Sequence, residues 1–426
     1  MDSVKLTTEQ IQWVNALSTR ASLEAAVTEV ISRTKTNLAA EADWGILFIS
    51  SAFASEYSRL MPLLQEQLQV PHLIGCSGGG IIGMNLAGEV QEIEGESALS
   101  LTLMRMPNAK IQTFHLNADD LPDLDSPPQK WIEAVGVSPE ANPLFILLSD
   151  PASSKINELL EGLDFAYPGS IKLGGLASSS AMGNRAGLFC NYKQCLEGTV
   201  GVAITGDFTW ETIVAQGCRP IGPVYRVTRG ERNIIFGLTR DREQVSSGST
   251  SSLRENPLQI LRDLVEDLSE GDKELAQNSL FVGIARNEFK QYLSQGDFLI
   301  RNLLGIEPKT GAIAIGNRVR AGQRIQFHLR DAQTSAEDLE LLLEECVSDS
   351  NNSNNPALGA FMFSCLGRGK GLYGEPDFDA RLFQRYFPNI AVSGFFCNGE
   401  IGPVGGGTFL HGYTSVFGIC HQGDEK

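Results

Sequence analysis

Apolar residues along this chain come in short continuous runs, each followed by a stretch of helical periodicity and a second run that ends in glycine. The arrangement occurs three times. Gly45–Ile49 leads through Ser55–Leu68 to His72–Ile74 and the turn Gly75–Gly80. Leu144–Leu148 leads through Ser153–Leu160 to Ile171–Leu173 and the turn Gly174–Gly175. Ala360–Ser364 leads through Asp377–Phe387 to Ile390–Ser393 and the turn Gly394–Gly407. A strand, a helix and a strand within about 30 residues is a βαβ unit with parallel strands. The repeat predicts that the two halves of the chain are related folds.

Other patterns fill the remainder. Thr7 and Gln10 form a capping-box pair before Ile11, Val14 and Leu17 at helical spacing, and Leu23, Ala26, Val27, Val30 and Ile31 mark a second helix. Residues 1–40 are therefore expected to be helical. Thr199–Thr205 and Thr209–Ala215, separated by Gly206–Asp207, read as a hairpin. The Ser-rich stretch Asp241–Ser252 reads as a domain boundary. Asn256 and Pro257 open a helix with an apolar stripe from Leu258 to Leu268, and strands are expected near Phe281–Ile284, Phe298–Leu303, Ala312–Ile315 and Arg324–Leu329. Thr334 and Glu337 cap a further helix, and Ser348–Asn355 reads as a polar loop. The expected fold class is α/β (mixed α+β): two related domains, 41–240 and 256–426, joined by a linker at 241–255 and built on mixed sheets with βαβ units and flanking helices.

Composition narrows the function. The 426 residues suffice for two domains. A net charge of −17 and a pI near 4.8 argue against duplex nucleic acid and anionic membrane surfaces as partners. Local cationic segments remain at Arg318–Arg330 and Arg381–Arg385, where solvated surface charge is the plainer reading. No signal peptide and no run of about 18 apolar residues is apparent, so a cytoplasmic protein without membrane insertion is expected. The eight cysteines, with no Cys-x-x-Cys pair, read as reduced thiols.

Several motifs compete. Gly75-Cys76-Ser77-Gly78-Gly79 fits the nucleophile elbow, with Ser77 attacking and His328 or His411 as base. The same turn recurs at Gly174 and Gly394 without a fixed nucleophile, which favours a structural role. Gly78–Gly83 also fits the dinucleotide fingerprint, but Gly88 interrupts the required helix and no acid follows at the expected place. The five histidines lack the close spacing of metal sites, so no cofactor is expected; haem, needing one axial histidine, is the exception left open. The C-terminal block carries more chemistry. Cys365-Leu366-Gly367-Arg368-Gly369 sets a guanidinium between glycines at a strand end. Phe396, Cys397, Asn398, Gly399 and Glu400 follow in a second turn, and His411 opens the last segment. At the carboxyl ends of parallel strands these residues would face a ligand. Otherwise the glycines only shape turns and the charges are solvated.

These residues carry a family resemblance. Cys365-Leu-Gly-Arg-Gly, Gly394-Phe-Phe-Cys-Asn-Gly-Glu-Ile-Gly and His411-Gly-Tyr-Thr resemble the C-terminal signature of the FIST family. Gly75-Cys-Ser-Gly-Gly, Lys172-Leu-Gly-Gly and Gln216-Gly-Cys-Arg-Pro-Ile-Gly-Pro resemble its N-terminal domain. The resemblance implies a sensory module for a small ligand, with amino acids suggested, signalling through a separate protein partner. In eukaryotes a similar signature accompanies an F-box; no clear F-box is present in the first 40 residues here. Some family members are haem-containing nitric-oxide sensors. The implied non-enzymatic sensor would hold an anionic group on Arg368 and an amino group on Asn398 and Glu400, with Cys365, Cys397 and His411 shaping the pocket. The rivals are a hydrolase or thiol enzyme using Ser77, Cys365 or Cys397, and a protein-interaction scaffold.

Overall fold

The computed structural model describes residues 10–152, 155–179, 186–241, 256–353 and 355–423. Contacts divide the chain into two compact units: Met1–Ala215 with Glu340–Lys426, and Gln216–Leu339.

The first unit contains the repeat in three full copies. Each copy has a parallel pair of strands around a helix: Trp44–Ser50 with His72–Gly78, Leu144–Ser149 with Lys172–Leu176, and Ala357–Cys365 with Ala391–Cys397. A closing strand returns antiparallel beside the first of each pair: Leu99–Arg105, Thr199–Thr205 and Ser415–Gln422. Outside it lies the copy's opening strand: Gln12–Ser18, Lys110–Leu116 or Phe208–Ala215.

Between pair and closing strand each copy has a hairpin, and every hairpin leaves its own sheet. Gly80–Met84 with Val90–Glu94, from copy one, pairs onto Ala391–Cys397 of copy three. Glu400–Val404 with Gly407–His411, from copy three, pairs onto Lys172–Leu176 of copy two. Leu188–Cys190 with Lys193–Cys195, from copy two, pairs onto His72–Gly78 of copy one. The exchange closes a ring of three six-stranded sheets, each completed by a neighbouring copy.

The sheets' inner faces share one core, in which Phe48, Phe363 and Phe395 meet at ring-centroid distances of 5.1 to 6.4 Å. Helices cover outer faces: Leu23–Asn37 and Tyr57–Gln67 on the first sheet, Pro128–Val135 and Ile156–Ala166 on the second. One glycine serves the same purpose in all three copies. Gly75, Gly174 and Gly394 oppose Leu47, Leu147 and Met362, and an added Cβ would lie 2.5, 1.9 and 1.7 Å from those residues' carbonyl oxygens.

The second unit is a closed six-stranded barrel of Cys218–Glu231, Ile234–Arg240, Ile313–Ile315, Phe298–Ile306, Leu280–Ala285 and Arg324–Arg330. In sequence it falls between the opening strand and the first helix of copy three. The helix Ala332–Ser353 carries the chain from one unit into the other.

Several expectations need correction. Gln12–Ser18 is a strand, not a helix; Thr7 of its supposed cap lies outside the described residues. Trp13 and Leu17 face the central core while Ala16 packs in the helix-covered layer, so both faces are apolar and the twofold alternation that marks a strand is lost. Thr199–Thr205 and Phe208–Ala215 form no hairpin, because they join different sheets at Gly206–Asp207. The polar stretch from Ser348 continues the helix as far as Ser353, with the Ser348 hydroxyl donating back to the Glu344 carbonyl at 2.8 Å. The relation lies among three copies, not between two halves. Residues 242–255 of the expected linker, and Ser153 of the second helix, lie outside the described residues. Among the described residues no helix is long and apolar enough to cross a membrane.

Candidate functional site

The exchanged hairpins tie the carboxyl ends of the three central strands together. Ser178 N–H donates to the Ser77 carbonyl at 3.0 Å, and the Ser178 hydroxyl donates to Phe396 O while accepting from Gly79 N–H. Asn398 N–H donates to Leu176 O at 3.0 Å, and Leu176 N–H to Gly399 O at 2.8 Å. Ser77 Oγ is occupied, donating to Ser178 O and accepting from Gly187 N–H. Its neighbours are backbone groups and the Tyr57 side chain, not a histidine. The Gly78–Gly83 segment enters a strand, so no helix follows it.

In copy three the strand ends carry chemistry. Cys365 and Cys397 are register partners at the ends of adjacent parallel strands. Gly175 makes room for Cys397, since a Cβ there would stand 2.4 Å from its Sγ. Glu400, opposite Gly175, is fully buried. The same register position is Leu188 opposite Cys76 in one sheet and Ile81 opposite Phe395 in another. Where two copies place an aliphatic side chain, the third places a carboxyl group.

Burial pushes Glu400 up to about 8, partly offset by the Thr414 N–H at 3.1 Å, the Cys365 thiol and the Arg368 charge. At neutral pH it is mostly a neutral acid. Its Oε2 accepts from Thr414, whereas Oε1 has no hydrogen-bond partner among the described residues. The Cys397 thiol is held well above its ordinary range, first by burial and then by Glu400, Cys76 and Cys365.

Arg368 is fully buried, and its guanidinium fork grips Asp379 of helix Phe378–Tyr386, Nε to Oδ2 at 2.6 Å and an η nitrogen to Oδ1 at 3.0 Å. The same η nitrogen donates to the Tyr373 hydroxyl at 2.6 Å, which in turn donates to Asp379. Glu92, on the hairpin from copy one, accepts from Ala380 N–H, and burial beside Asp379 raises it well above the carboxylate range. Of the remaining predicted residues, Gly369, Phe396, Gly399 and His411 are buried, Gly367 is half-buried, and Asn398 is exposed. A His411 ring nitrogen lies 3.1 Å from Gly402 O. His328 is buried in the barrel unit, where desolvation pushes it down to about 4. Arg381 and Arg385 pair with Glu375 and Glu340 at the surface.

The structure thus brings Cys365, Arg368, Cys397 and Glu400 into one buried cluster. Sequence reasoning missed Asp379, Tyr373 and Glu92. Asp379 had a signal, a carboxylate on the predicted helix eleven residues after Arg368. Glu92 had none, because only the hairpin exchange brings it there.

A three-sheet α/β unit with a barrel set into its third copy, and a buried acid–arginine–thiol cluster at the strand ends, defines the class. Family models identify a FIST N domain over residues 43–240 and a FIST C domain over residues 257–403. The chain belongs to the FIST family, whose domains are associated with sensing in signal transduction. It is 33% identical over 404 residues to an uncharacterized protein of Mycobacterium tuberculosis, covering 95% of this chain and 98% of that one. An uncharacterized protein of Mycobacterium bovis is 32% identical over 407 residues, covering 95% and 97%. Human F-box only protein 22 is 34% identical over 82 residues, which is 16% of this chain and 20% of that protein.

Proposed function

We propose that this chain is a non-enzymatic cytoplasmic sensor of a small, amino-acid-like ligand, signalling through a separate protein partner. The observation that carries this reading is Glu400, a fully buried carboxyl with an orphaned Oε1 where the other copies have aliphatic side chains. A buried polar atom without a partner costs about 1–3 kcal/mol, so its retention points to a group that supplies the missing bond. The ligand's amino group meets Glu400, and the nearby Arg368 charge favours an anionic group on the same ligand. Arg368 serves as a fixed charge held by Asp379, and Asn398 offers its amide from the surface. The enzyme alternative has less support: Cys397 is held as a thiol, and the Ser77 hydroxyl is engaged by backbone.

A thermal-shift screen of amino acids, amines and small carboxylates on wild type and Glu400→Gln tests the reading. A ligand at 100 times its dissociation constant stabilises the fold by about 2.7 kcal/mol. The expected result is at least one such ligand for wild type and loss of most of the shift in Glu400→Gln. A wild type that responds to none of them, or an equal response in both proteins, refutes the proposal.

A further inference from the structure

The barrel unit has a concavity of its own. Helix Pro257–Glu266 packs Ile260 and Leu261 into the barrel core, and helix Glu270–Ala276 follows it. Between these helices and the strands Leu280–Ala285 and Phe298–Ile306 lies a groove of about 570 Å³, within the size range of small-molecule sites. Its walls include Leu258, Leu280, Leu303 and Ile306. Leu280 and Leu303 adjoin the register pair Phe281–Asn302 at the same end of their two strands, and both line the groove.

The charges around these walls are Arg262, Lys273 and Glu266. Cations outnumber acids there in a chain whose net charge is −17. Among the described residues Lys273 pairs with Glu270, at 2.9 Å, and that carboxylate is 92% exposed. An exposed pair of this kind contributes little, so the ammonium exchanges partners easily.

We propose that this groove is a second ligand site, taking a single aliphatic chain that ends in a carboxylate. The chain lies on the leucine and isoleucine walls and its head pairs with Lys273 and Arg262. A neutral amphiphile would fill the groove but leave the cations unused, and a cationic one would be repelled by them. The site is built wholly within the barrel unit and does not depend on Glu400.

Calorimetric titration of the full chain with decanoate, decanol and decyltrimethylammonium tests this. Decanoate is expected to bind with one-to-one stoichiometry, about tenfold or more tighter than either of the others. The pair Arg262→Glu and Lys273→Glu should weaken decanoate by about tenfold or more while sparing decanol. Leu303→Trp, which fills the groove, should abolish both, and Glu400→Gln should change neither. No saturable binding, binding that survives Leu303→Trp, or preference for the cationic amphiphile overturns the proposal. So does concentration-dependent self-association in sedimentation that Leu303→Glu removes, because the groove would then be a contact between copies.

Discussion

Gly75, Gly174 and Gly394 show how little space one position can have. Each sits where the carbonyl of the neighbouring parallel strand occupies the place of a Cβ, so the obstacle is backbone and cannot rotate aside. Alanine at any of the three should cost about 3 kcal/mol or more in urea unfolding, the upper range for overpacking. Gly394→Ala is expected to be the worst, with its 1.7 Å approach. Arg368 is held by geometry as well as charge. Arg368→Lys keeps the charge but loses the two-pronged grip on Asp379, leaving a buried carboxylate poorly paired. A loss of about 3–5 kcal/mol is expected, the range for breaking a buried pair. Glu400 acts in the opposite sense to most carboxylates. Its folded value, about 8, lies above the ordinary 4.5, so between these pH values the folded state holds a proton that the unfolded chain has released. Stability from this group therefore falls as pH rises, by at most about 1.4 kcal/mol per pH unit. Glu92 is raised too and contributes with the same sign. Urea unfolding from pH 5 to 8 should show a shallower decline in Glu400→Gln than in wild type.

At the scale of elements, the hairpins matter more than the strands they join. Strand Gly80–Met84 contributes Ile82, fully buried, opposite Gly394 of copy three. Ile82→Ala should cost about 2–5 kcal/mol as a core truncation. Its effect on local opening is the informative part. Hydrogen exchange should quicken in Ala391–Cys397, which the hairpin completes, at least as much as in the parallel pair of its own copy. An effect confined to copy one would mean that the exchanged pairing contributes little. The same exchange explains the electrostatics of the site, since the hairpin from copy one delivers Glu92 to the helix that holds Asp379.

At the scale of the whole chain, the ring of exchanged hairpins leaves no copy able to complete its own sheet. The first unit should therefore unfold in one cooperative step. Hydrogen exchange near the denaturation midpoint should give one common opening free energy for the central strands of all three sheets. Separate values for the three copies would show that they are independent. The family domains divide the chain at a different place from its compact units. The FIST N match runs past Ala215 into the barrel strands, and the FIST C match begins inside the barrel unit and ends in copy three. The family matches follow the continuous chain, whereas packing follows the fold, in which copy three is interrupted by an entire domain.

The sequence by itself determined the repeating strand–helix–strand unit, because it is local: apolar runs and helical spacing are visible within about 30 residues. Its glycines read as turns, whereas Gly75, Gly174 and Gly394 lie inside the strands His72–Gly78, Lys172–Leu176 and Ala391–Cys397, where a neighbouring carbonyl leaves no room for a side chain. Four of the barrel's six strands were legible for the same reason, whereas Cys218–Glu231 and Ile234–Arg240 were not; Cys365, Arg368, Cys397 and Glu400 stood out as residues of interest. Gln12–Ser18 was misread because a strand buried on both faces shows no alternation. Only the tertiary structure decided that hairpins cross between copies, that Phe208–Ala215 joins the last strand instead of its neighbour, and that Arg368 belongs to Asp379. These are pairings between distant segments, chosen by which edges and charges remain to be satisfied after the local units form. The difference between Glu400 and its counterparts Leu188 and Ile81 is likewise invisible until register aligns them. Aligned, it marks the one copy in which a repeated structural joint carries a buried acid.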